Sequence, residues 1–151
     1  MFNIKNIVVP TDFSKISNSA FLYAGSLAEQ FNAKLHLIYI MDKTPPMLAL
    51  QSLDVSEEQL MRSMEEQASV TLVEICENLQ KSTEVSITPV LRKGLDYEEI
   101  INYADEINAD LIVIATHGRT GILHTLLGSV AEKVIRYSKK PVLVVPPVEE
   151  S

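Results

Sequence analysis

Three of the chain's five glycines, Gly118, Gly121 and Gly128, fall in one stretch of sequence. Glycine takes positive φ and lets backbone N–H groups approach a ligand closely, so a cluster of this kind suits an anion held by amides, most simply a phosphate chain. Gly128-Ser129 leads into an amphipathic segment, whose helix N-terminus would add its own N–H groups and dipole. No Asp or Glu occurs from Thr116 to Ala131 to repel such a ligand. Arg119 can clamp a phosphate or stay solvated, and Ser129 can serve a phosphate or simply cap a helix. The same glycines could do no more than turn a long loop. A Walker phosphate loop is excluded, because no Gly-Lys-Ser or Gly-Lys-Thr occurs. Asp12 stands just after an apolar run, where it can reach a ligand or cap the segment that follows. His117 and His124 have no carboxylate at recognisable spacing, which favours packing or loop roles over acid-base chemistry; His36 lies in an apolar run and reads as structural, and three histidines so dispersed do not make a transition-metal site.

The elements that must position these residues alternate between short apolar runs and helical stripes, the pattern of βαβ units. Ile4 to Pro10 predicts the first strand. Ala20, Ala24, Leu27, Ala28 and Phe31 predict the first helix, with Ser17 as its N-cap. Leu35 to Ile40 predicts the second strand. Pro45 and Pro46 then open a polar segment to Asp54, either a lid over that strand's exit or a plain connection. Ser56 and Gln59 form a capping box for the longest helix, marked by Leu60, Met64, Ala68, Leu72, Ile75, Cys76 and Leu79. Val85 to Leu91 predicts a third strand, and Pro89 within it cannot donate to a ladder, which places it at a sheet edge. Asp96 with Glu99 should cap a helix with the stripe Ile100, Ile101, Ala104 and Ile107. Leu111 to Ala115 is a fully apolar strand. Val130, Val134, Ile135 and Tyr137 mark a last helix, and Val142 to Val145 a last strand. Phe31-Asn32-Ala33-Lys34-Leu35 and Ile107-Asn108-Ala109-Asp110-Leu111 repeat one helix-to-strand junction, with Asn suited to the left-handed residue that ends a helix. The expectation is an α/β fold with five parallel strands in one doubly wound sheet and helices on both faces. Ligands in such a sheet bind beyond the carboxyl ends of the strands, where strand order reverses.

Composition sets the outer limits. The chain has 151 residues, 46% of them hydrophobic and 22% charged, with 13 Lys plus Arg against 20 Asp plus Glu and a net charge of −7. That length fits a single domain over residues 1–151, and the apolar fraction argues against disorder. An acidic balance disfavours nucleic acid as a partner, since phosphate-backbone affinity needs surplus Lys and Arg. No stretch approaches the roughly 20 apolar residues of a membrane span, and the N-terminus lacks a signal-peptide core. The lone Cys76, inside a helical stripe, reads as a structural thiol in a reducing, cytoplasmic compartment.

Ala115-Thr116-His117-Gly118, followed after nine residues by Gly128-Ser129-Val130-Ala131, resembles the universal stress protein family, whose nucleotide-binding members carry Gly-x2-Gly-x9-Gly-Ser here. Val9-Pro10-Thr11-Asp12-Phe13-Ser14, Leu37-Ile38-Tyr39-Ile40-Met41-Asp42 and Lys140-Pro141-Val142-Leu143-Val144-Val145-Pro146 extend the resemblance over nearly the whole chain. It implies a Rossmann-like sheet of order 3-2-1-4-5, adenine-nucleotide binding (ATP, with Mg2+, or AMP) and a homodimer through Val142–Val145. Carried over by position, Pro10, Thr11 and Asp12 would meet adenine and ribose, with Asp12 also able to reach a phosphate-bound metal. Ile40 would pair its backbone with the adenine edge. Ile114, Ala115, Thr116, His117, Gly118, Arg119, Thr120 and Gly121 would line ribose and phosphates, and Gly128, Ser129, Val130 and Ala131 would present N–H groups and a hydroxyl. One departure is Ala115, which stands at the first motif glycine; if that position needs positive φ, alanine would cost on the order of 1–3 kcal/mol.

The resulting expectation is a nucleotide-binding stress-response regulator with little or no hydrolysis and no catalytic residue of its own. Two alternatives stay open: a dimeric interaction module that no longer binds nucleotide, and a slow ATPase. A phosphoacceptor receiver is disfavoured, because Asp12 has no acidic cluster and Val145 is followed by Pro146 and Pro147 in place of a lysine. A flavodoxin is disfavoured because the first strand exit is not a Ser/Thr/Gly phosphate loop.

Overall fold

The computed structural model describes residues 2–47, 51, 54–117 and 127–147. Strands β1 (Asn6–Pro10), β2 (Lys34–Met41), β3 (Ile87–Lys93), β4 (Leu111–Ala115) and β5 (Val142–Val145) alternate with helices α1 (Lys15–Phe31), α2 (Glu57–Gln80), α3 (Asp96–Glu106) and α4 (Ser129–Tyr137). All pairings are parallel and the order is β3-β2-β1-β4-β5. Pro89 therefore lies on an edge strand, where a missing N–H costs no inner ladder bond.

Alternation along the inner strands divides the core. Ile7, Val9, Leu35, Leu37, Val113 and Ala115 face α1 and α2, packing on Ala20, Phe21, Ala24, Leu72 and Cys76. Val8, Ile38, Ile112 and Ile114 face α3 and α4, packing on Ile100, Tyr103, Ala104, Ala131 and Val134. Both faces of β1 and β4 are buried, which is why these strands read as unbroken apolar runs.

The repeated junction holds in detail. Asn32 and Asn108 both adopt left-handed backbone, at φ +54° and +50°. Ala33 N–H donates to the Ala28 carbonyl, as Ala109 N–H does to Ala104. The next residues then dock on the start of β1 from opposite sides, Lys34 N–H on the Lys5 carbonyl and Asp110 N–H on that of Asn6. The capping box of Ser56 and Gln59 is also present.

Five expectations are corrected, the first being the start of β1, expected at Ile4 and found at Asn6. The N-cap of α1 is Ser14, whose side chain accepts from Ser17 N–H, while Ser17 lies buried within the first turn. The polar first turn carries no apolar stripe, so the helix begins earlier than its stripe suggests. Leu95, not Asp96, precedes α3, and Asp96 Oδ1 accepts from Tyr97 N–H. Gly128 caps α4, with Ser129 as its first helical residue, and Ile135 and Tyr137 are exposed. β3 begins at Ile87 and runs on to Lys93. In the segment read as a lid or connection, Met47 and Gln51 are helical; residues 48–50 and 52–53 lie outside the described residues.

Candidate functional site

The sheet opens between β1 and β4. Their register comprises Ile7 with Leu111 and Val8 with Ile112 only, whereas β1 continues beside β2 to Pro10 and Ile38. Beyond that point the strands turn to outer partners: Thr11 N–H donates to Ile38 and Thr116 N–H to Val145, each at 2.9 Å. The crevice so formed lies at the carboxyl ends of the strands where the order reverses, the usual ligand position in an open α/β sheet.

On the β1 side, Thr11 is buried and its hydroxyl is engaged, accepting from Phe13 N–H at 3.1 Å and lying 3.3 Å from Ser17 Oγ. Asp12 is half-buried. Its Oδ1 accepts from Ser14 N–H at 3.0 Å and from the Ser14 hydroxyl, so the carboxylate orients the N-cap of α1. The capping alternative for Asp12 is thus realised one step removed, through Ser14.

On the β4 side, Ala115 is a strand residue paired with Val145 and is not among the described residues of positive φ. The strain considered for alanine at this position does not arise. Thr116 Oγ1 lies 3.0 Å from His117 Nδ1, and His117 is buried, which fits a packing role. Gly128 N–H donates to the Thr116 carbonyl, and a Cβ at Gly128 would stand 2.7 Å from that oxygen and 3.3 Å from His117 Cα. Glycine is required here for close approach: it lets α4 begin against the end of β4. Gly128 also offers no side-chain cap, so the first-turn amides of Ser129, Val130 and Ala131 receive none from it.

The structure thus brings Pro10, Thr11 and Asp12 to one side of the crevice, and Ile114, Ala115, Thr116 and His117 with Gly128, Ser129, Val130 and Ala131 to the other. Ile40 follows at the end of β2. Ile114, Ala115 and Ala131 are buried. Gly118, Arg119, Thr120, Gly121 and His124 lie outside the described residues, as do Val148 to Ser151. Sequence reasoning missed Phe13, whose φ is +69° and whose ring stacks on Tyr39 at 4.1 Å between centroids. The Asp-x-Ser spacing was the available signal, since Asp and Ser two residues apart favour a side-chain turn.

Among the described residues no group of three or more His, Cys, Asp or Glu could hold a metal by itself. Mg2+ commonly takes one or two carboxylates together with substrate phosphates, and Asp12 supplies one carboxylate at the crevice. No helix among the described residues is long and apolar enough to cross a membrane.

The family described as the universal stress protein family matches residues 3–146. Universal stress protein MJ0531 of Methanocaldococcus jannaschii is 36% identical over 141 residues, covering 93% of this chain and 81% of that protein. Among solved structures, protein MJ0577 superposes with a TM-score of 0.82 at 28% identity, covering 99% of this chain and 100% of that one. A universal stress protein in complex with cAMP superposes with a TM-score of 0.68 at 28% identity, covering 97% and 100%.

Proposed function

The chain belongs to the universal stress protein family, and on that premise we propose that it binds an adenine nucleotide, ATP or AMP, between β1 and β4 as a homodimeric stress-response regulator. The observation that carries this reading is the opening of the sheet after Val8 and Ile112, with the α4 N-terminus drawn against the end of β4 by Gly128. The relative bound to cAMP supports adenine as the base. In this reading Pro10 and Ile40 flank adenine, Asp12 meets the ribose or a phosphate-bound Mg2+, and residues 114–121 line ribose and phosphates. The amides of Ser129, Val130 and Ala131 hold the phosphates. Gly128 contributes by having no side chain, since its own N–H is spent on Thr116.

Such a site binds phosphates through amides and a helix dipole, which does not by itself cleave them. Hydrolysis is accordingly slow or absent. The lone, buried Cys76 supports a reducing, cytoplasmic setting.

Mass spectrometry of small molecules released from the purified protein, followed by calorimetric titration with AMP and ATP with and without magnesium, tests the reading. Saturable binding weakened by Asp12→Asn is expected; no binding at millimolar nucleotide would overturn it. Phosphate release in the steady state, compared between the wild type and Asp12→Asn, separates a binding protein from an ATPase.

A further inference from the structure

Three non-glycine residues have positive φ among the described residues: Asn32, Asn108 and Phe13. Asparagine tolerates that conformation, whereas a bulky side chain there is an outlier, and outliers persist only where the surroundings impose them. Two contacts impose this one. Phe13 N–H donates to Thr11 Oγ1 at 3.1 Å, and the Phe13 ring lies on Tyr39 at 4.1 Å with 13° between the planes. The left-handed turn brings Asp12 Oδ1 over Ser14, and Tyr39 immediately precedes Ile40. The stacked rings therefore join the exits of β1 and β2, beside the two positions assigned above to ribose and adenine.

We propose that Phe13 is a positioning residue for the nucleotide: clamped on Tyr39, it holds the turn that aims Asp12 and ties it to the end of β2 before ligand arrives. The inference rests on the adenine-nucleotide reading. Preorganisation of this kind raises affinity by removing the cost of ordering the loop on binding. Replacing the ring should leave the crevice in place but the Asp12 turn unheld.

AMP binding by calorimetry and thermal unfolding, measured on the full chain, test this. Phe13→Ala and Phe13→Gly should each weaken AMP roughly tenfold. Phe13→Gly should unfold at the higher temperature of the two, because glycine accepts the left-handed backbone. Phe13→Tyr, which keeps the ring, should restore affinity. Tyr39→Ala should weaken AMP as Phe13→Ala does, and the double variant should be no weaker than either single one, as expected for partners in one contact. Asn32→Ala, which strains a left-handed residue at the opposite end of the sheet, should lower the unfolding temperature without moving AMP affinity. Unchanged AMP affinity in Phe13→Ala and Phe13→Gly would overturn the positioning role while leaving the nucleotide reading intact. A wild type that binds neither AMP nor ATP would overturn both.

Discussion

His36 Nδ1 lies 2.8 Å from Tyr103 Oη and Nε2 lies 3.1 Å from Asn6 Oδ1. With the ring neutral, Nε2–H donates to Asn6 and Nδ1 accepts from the Tyr103 hydroxyl; protonating Nδ1 would take that acceptor away. Burial first, and the Lys34 charge second, hold its pKa below the ordinary 6.5. The unfolded chain then binds the proton more readily, so the contribution of neutral His36 is complete above the ordinary value and is lost as pH falls below it toward the folded one. Arg92, over the Tyr103 ring at 5.2 Å and paired with Glu106, stays charged throughout that range. The wild-type unfolding temperature should drop between about pH 7 and about pH 5 more steeply than that of His36→Gln; parallel curves would refute this. Cys76 is buried and its thiol is pushed up to about 11 by desolvation. A thiol reagent at mildly alkaline pH should add no mass to the native protein and one adduct to the denatured one.

At the scale of elements, α2 docks through few residues. Ala68, Leu72 and Cys76 are buried, whereas Val70 is 58% exposed. Leu72→Ala should cost about 2–5 kcal/mol in urea unfolding and Val70→Ala within about 0.5 kcal/mol. The start of α4 depends on Gly128 lying against Thr116. Gly128→Ala forces a methyl group on a carbonyl oxygen 2.7 Å away, and overpacking of this kind costs about 1–3 kcal/mol. Because the same contact sets the position of the Ser129 to Ala131 amides, calorimetry should also find weaker nucleotide binding; stability and affinity both unchanged would show that α4 adapts. The stripes that predicted α1, α2 and α3 were legible because each is a local 3.6-residue pattern. The start of α1 was not, because a side-chain turn at Asp12 begins it and no stripe records that.

At the scale of the molecule, β5 is an edge strand, and its Leu143 is 36% exposed. An apolar edge with unpaired backbone groups invites pairing with a copy of itself across a two-fold axis. In the proposed homodimer, Leu143→Arg places a charge at that pairing. Light scattering should report a dimer for the wild type and a monomer for the variant, and a wild type that is monomeric at all concentrations would count against the dimer.

The alternation of strand and helix, the edge position of β3 through Pro89, the two Asn-ended junctions and the capping box were all determined by sequence alone. Each rests on neighbours within a few positions: a period of two or 3.6, a missing N–H, a left-handed residue. The glycine cluster and the family motif also marked the loop after β4 as the place to look. Tertiary structure alone decided that the sheet parts after Val8 and Ile112, that Gly128 is needed for its contact with Thr116, that His36 meets Tyr103, and that Phe13 is left-handed on Tyr39. Those facts depend on groups brought together from distant parts of the chain or held in place by packing, and such contacts leave no periodic trace in the sequence.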